Sequence, residues 1–75
     1  MKYINYCPMD MTLDEAMHIA KPFLCEGSIC IVSPHSVLGR DLKKGETPRA
    51  IGYDTYLVQI NDDGSTEVVD SKGFN

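Results

Sequence analysis

Hydrophobic positions cluster in five stretches whose internal spacing differs from one to the next. The first, Tyr3-Ile4-Asn5-Tyr6, is a short β-prone run that ends at Pro8 and reads as a strand. In the second, Leu13, Ala16, Met17 and Ala20 recur at i, i+3, i+4 and i+7, which lines one face of an amphipathic helix. Thr12 is a good N-cap for it, and Glu15, three residues later, completes a capping box. Asp14 and Glu15 also suit the positive end of the helix dipole. Pro22 has no N–H to offer the carbonyl of His18, so the helix must stop near residues 20–21 or bend there. Phe23 and Leu24 extend the apolar face, which favours a continuous, bent element that ends by Gly27.

Ser28-Ile29-Cys30-Ile31-Val32, bounded by Gly27 and Pro34, reads as a buried strand. Residues 50–61 form the longest strand candidate, with Tyr56, Val58 and Ile60 alternating against Thr55, Leu57 and Gln59. Asn61-Asp62-Asp63-Gly64 is a hairpin turn of type I with Gly64 at the left-handed position. The chain returns as a last strand over residues 65–70, and residues 71–75 are expected to fray. Between the two central strands, residues 34–49 carry two prolines, two glycines and mixed charge. They read as a long loop with a helical turn around Leu42. The expected fold is α+β, in the order β-α-β-loop-β-β. It is a single domain over residues 1–75, with a small, mostly antiparallel sheet of three or four strands and one helix packed on one face.

Length limits what such a domain can hold. Seventy-five residues leave little core to sacrifice to a pocket of several hundred Å³, so function is expected on an exposed surface. A hydrophobic fraction of 43% and a charged fraction of 24% are those of a globular protein. No apolar run approaches the roughly 20 residues that span a bilayer, and the first residues lack a signal-peptide core. The expected location is therefore cytoplasmic, with no membrane partner. The odd cysteine count, Cys7, Cys25 and Cys30, makes a poor disulfide framework and reads as three buried free thiols.

The candidate chemistries differ in how far the spacing supports them. Cys7, Cys25 and Cys30 with His18 or His35 could supply a zinc set, but no C-x₂-C pair exists. Cys25 near a helix C-terminus is at the wrong end of the dipole for a reactive thiolate, and Asp14 with His18 makes a solvated i, i+4 pair. The Asn61–Gly64 segment lacks the length and the closing Glu of a calcium loop. No metal, cofactor or catalytic residue is assigned, and the chain reads as a non-enzyme. The charge distribution is more informative. Arg40, Lys43, Lys44 and Arg49 against Asp41 and Glu46 give residues 40–49 a net +2 within a chain of net −4. This basic segment, with a solvent-facing Tyr53, is the best candidate for partner binding.

The Thr12-Leu13-Asp14-Glu15-Ala16 helix start, set between short strands over residues 10–32, resembles a layout common among small phage-encoded proteins. Inhibitors of host RNA polymerase and some anti-CRISPR proteins share it. The resemblance implies a compact inhibitor that occludes a site on a host protein or ribonucleoprotein complex in the host cytoplasm, and it carries over no binding residues. Two other readings stay open. One is a nucleic-acid contact protein using residues 40–49, which is less favoured, and the other is a zinc- or thiol-dependent protein. A homodimer is compatible with all three.

Overall fold

The computed structural model describes residues 1–25 and 27–73. Strand β1 (Lys2–Tyr6) is followed by helix α1 (Leu13–Ala20), and then by a 3-10 turn at Lys21–Phe23. Strands β2 (Ser28–Ser33), β3 (Ser36–Asp41), β4 (Thr55–Ile60) and β5 (Thr66–Lys72) complete the chain. All five strands form one sheet in the order β3-β2-β1-β4-β5. The β1–β2 pair is parallel, and the other three are antiparallel. A parallel neighbour requires a crossover, and α1 supplies it. The fold is α+β with one helix, but the sheet is larger than three or four strands and is mixed.

The helix begins where its cap places it: Thr12 Oγ1 accepts the Glu15 N–H at 3.2 Å. Pro22 fits the first turn of a 3-10 segment, so the chain continues past Ala20 with tightened pitch instead of stopping. Ala16 and Ala20 are fully buried, and such small residues one turn apart let the helix lie close over the sheet. Beneath them Ile4, Tyr6, Cys30, Val32 and Val58 form the larger core, each aliphatic side chain contributing about 1.5–3 kcal/mol by burial. Tyr6 stacks on Tyr56 at 6.3 Å and donates its hydroxyl to the Met11 carbonyl, which fixes the chain entering the helix. Burial pushes the Tyr6 phenol up, with Glu15 and Tyr56 adding to the effect.

Residues 34–49 are not one long loop. A two-residue turn at Pro34-His35 folds β3 back onto β2, with Ser33 paired to Ser36 and Ser33 Oγ accepting the Ser36 N–H. Nor is there a helical turn at Leu42. The chain instead crosses the opposite face of the sheet as an extended strap over residues 42–54. There Leu42 and Ala50 pack with Ile29, Leu57 and Tyr3 into a second, smaller core. The strap also claims residues 50–54 of the expected long strand, so β4 starts only at Thr55. Side chains pin it: Asp70 Oδ2 accepts the Ala50 N–H at 2.8 Å, Asn5 Oδ1 accepts the Ile51 N–H at 3.0 Å, and Thr55 Oγ1 donates to the Tyr53 carbonyl at 2.9 Å. Asn5 is fully buried, and its Nδ2 has no hydrogen-bond partner among the described residues.

The terminal hairpin turns as expected. Gly64 has φ 87° and donates its N–H to the Asn61 carbonyl. Ser65 donates from both N–H and Oγ to Asp63, which holds that carboxyl below its ordinary range. β5 then runs through Ser71 and Lys72, so these residues are not frayed as expected; residues 74 and 75 lie outside the described residues.

Candidate functional site

The strap and the neighbouring edge strand β3 carry the residues expected to bind a partner, but they do not gather them into one cluster. Arg40 sits on β3 and grips Glu46 with two hydrogen bonds of 2.7 and 3.0 Å. Glu46 also accepts the Lys43 N–H, so the turn into the strap closes around this ion pair. The bond from Arg40, reinforced by the Lys43 N–H and both positive charges, holds the Glu46 carboxyl below its ordinary range. The same bond raises the Arg40 guanidinium. Arg40 is therefore committed within its own chain.

Lys43, Lys44 and Arg49 remain exposed along the strap. Tyr53 lies at the strap's far end, between Gly52 (φ 86°) and Asp54 (φ 51°). These left-handed residues turn the chain sharply into β4 and leave the Tyr53 ring 88% exposed. It is not on a strand. Tyr3, Tyr6 and Tyr56 by contrast pack against the two cores, so of the four tyrosines Tyr53 is the exposed one.

The edge at β3 was hidden in the sequence. Surface concavities flank it on both faces. On the helix side one of about 350 Å³ is lined by Phe23, Cys25, Val37, Gly39 and Asp41. On the strap side one of about 180 Å³ is lined by Ile29, Ile31, Leu38, Gly39 and Ile51. Phe23 and Leu38 are 62% and 61% exposed. The signal that could have found β3 was the β-prone Val37-Leu38 pair beyond a two-residue turn, following directly on a buried strand. Pro34 and Gly39 masked it.

The thiols do not share one environment. Cys30 is buried and Cys7 half-buried, whereas Cys25 is exposed, contrary to the expectation of three buried thiols. Burial, then the proximity of Cys25, pushes the Cys30 thiol up. Cys25 Sγ contacts Ser28 Oγ, which donates to Asp41 Oδ1 at 2.9 Å. Ser28 and Asp41 are cross-strand partners, so this chain of polar contacts ties the start of β2 to the end of β3. Asp41 Oδ1 also accepts from Cys25 Sγ across a long 3.9 Å, and no imidazole lines that concavity. Among the described residues no three His, Cys, Asp or Glu side chains come together as metal ligands. No helix of the described residues is long and apolar enough to cross a membrane.

The fold and surface define a small α+β protein: a five-stranded mixed sheet with a helix on one face and a basic strap on the other. No protein-family model, curated protein or solved structure matches the chain.

Proposed function

We propose that this chain is a small protein–protein interaction module that engages its partner through the strap. The observation that carries the reading is Tyr53, held out by two left-handed residues at 88% exposure at the end of a segment presenting Lys43, Lys44 and Arg49. A rigid aromatic with a polar tip, on the same strap as exposed cationic side chains, suits an acidic protein surface, where tyrosine and basic groups concentrate binding energy. The setting we propose is the one implied by the resemblance over residues 10–32: a phage or mobile-element protein that binds and inhibits a host protein or ribonucleoprotein complex. No residue is given a catalytic role.

The nucleic-acid reading is weakened by the Arg40–Glu46 pair. It withdraws one cation from a segment whose excess is already small, on a chain of net −4. The test is capture of partners from host lysate with the tagged full chain, compared with a Tyr53→Ala, Lys43→Glu, Lys44→Glu variant. The substituted side chains are all exposed, so circular dichroism should match wild type. A protein captured in stoichiometric amount by wild type and lost by the variant is the expected result. The same protein retained by the variant, or no capture, overturns the reading. Capture that vanishes on nuclease treatment and falls steeply with salt would replace it with nucleic-acid contact.

A further inference from the structure

We infer that β3 is a self-pairing edge. Two copies of this chain join antiparallel along Ser36–Asp41, with the two-fold axis at Leu38, to form one continuous sheet. This interface runs along the sheet edge and uses none of Lys43, Lys44, Arg49 or Tyr53, so it is independent of the reading just given.

The sheet has two free edges, β3 and β5. They are protected unequally. In β5 the register shifts between Leu57 and Val58, leaving Val69 as the extra residue of a bulge. Glu67 and Lys72 add exposed charge along that strand. Bulges and charges are how proteins blunt an edge against a neighbour. β3 pairs with β2 without a register break, contains no proline or lysine, and its two charges are engaged within the chain, Arg40 with Glu46 and Asp41 with Ser28. Its backbone orientation follows from the ladder. The Leu42 N–H bonds the Gly27 carbonyl in the same register that pairs Ile29 with Arg40 and Ile31 with Leu38. Antiparallel residues alternate in direction, so Ser36, Leu38 and Arg40 bond to β2 while Val37, Gly39 and Asp41 point outward.

Only some pairings of two β3 strands satisfy these outward groups, and the side chains select among them. Placing Leu38 opposite the copy's Leu38 sets Val37 opposite Gly39 and Gly39 opposite Val37. Each Val37–Gly39 pair then exchanges both backbone hydrogen bonds. On the strap side the two Leu38 side chains meet at the closest-spaced kind of pair, each beside the other's apolar concavity of Ile29, Ile31 and Ile51. On the helix side the copy's Val37 stands over Gly39, which has no side chain to exclude it from the concavity lined by Phe23. Arg40 falls opposite Ser36, and Asp41 opposite His35, so no like charges face each other. Shifting the register to place Gly39 opposite itself would set Leu38 against Arg40 and Val37 against Asp41. Of these two registers, the one with Leu38 at the axis joins apolar side chains and opposes no like charges, which is why a second copy is the occupant that fits.

Sedimentation equilibrium of the full chain over a concentration series, with Leu38→Arg and Val68→Arg beside wild type, tests the pairing. Both substituted side chains are more than half exposed, so both variants fold. Wild type and Val68→Arg should dimerise, whereas Leu38→Arg, which brings like charges together at the axis, should weaken association about a hundredfold or more. Amide exchange should slow at Val37 and Gly39 only at dimeric concentrations. In a Cys25→Ser background, Leu38→Cys should cross-link to itself under oxidation, while Arg40→Cys should not. A wild-type monomer at every concentration overturns the inference. So does a dimer broken by Val68→Arg and not by Leu38→Arg, or cross-linking through position 40 instead of 38. A monomer that captures a foreign protein lost on Leu38→Arg would make the occupant another chain's strand.

Discussion

Replacing Asp70 by alanine removes the acceptor that holds the strap at Ala50. The Ala50 N–H lies 2.8 Å from Asp70 Oδ2, and Ala50 is 6% exposed, so water cannot readily take the carboxylate's place. A buried donor left without its charged acceptor costs about 1.5–3 kcal/mol. A domain of this length is stable by roughly 4–11 kcal/mol, so the loss is a large share of the total. Asp70→Asn keeps an acceptor oxygen in place and should cost only about 1 kcal/mol. Urea unfolding followed by circular dichroism gives both values. Amide exchange locates them: protection should fall first at Ala50 and Ile51, the stretch that Asp70 and Asn5 hold together. An Asp70→Ala protein within about 0.5 kcal/mol of wild type, with Ala50 still protected, would refute the claim that this bond pins the strap.

Other expectations are narrower. Leu57→Ala should cost about 2–5 kcal/mol in urea unfolding, since Leu57 is fully buried in a second core with few members, whereas Val68→Ala, 52% exposed, should stay within about 1 kcal/mol. Thr12→Ala should lose about 0.5–2 kcal/mol and lower the helical signal, because the Glu15 N–H loses its cap. The Glu46 carboxyl should titrate by NMR below its ordinary value of 4.5 and return towards it in Arg40→Ala. A depressed carboxylate contributes stability that is present at neutral pH and lost as pH falls through its folded pKa, so the Arg40–Glu46 contact should open only in acid.

What could be read from the sequence was local. The cap at Thr12, the spacing of Leu13, Ala16, Met17 and Ala20, and the turn at Asn61–Gly64 all act over a few residues, and all three formed as expected. The strap was illegible because its order comes from distant partners. Nothing near Ala50 or Ile51 reveals that Asp70 and Asn5 will receive their N–H groups. Residues 50–61 had read as one long strand, yet the left-handed residues Gly52 and Asp54 turn the chain so that β4 begins only at Thr55. Among the candidate site residues, exposure at Lys43, Lys44, Arg49 and Tyr53 was foreseeable from polarity. The commitment of Arg40 to Glu46 was not, because it depends on how the strap leaves β3.

The place of β1 at the centre of the sheet has a consequence for how the molecule acquires its shape. β1 comes first of the strands along the chain, yet Ile4 must meet Cys30 on one side and Val58 on the other. Its parallel partner waits for the whole helical crossover, and its antiparallel partner waits for the strap as well. Ordering so distant a pair costs loop entropy before any contact repays it, and proteins dominated by such pairings fold in milliseconds to seconds rather than microseconds. Until β4 arrives, Ile4 and Asn5 have only half their neighbours, so the two cores can close only together. Refolding should therefore be a single late event, with helix and sheet signals appearing at the same rate.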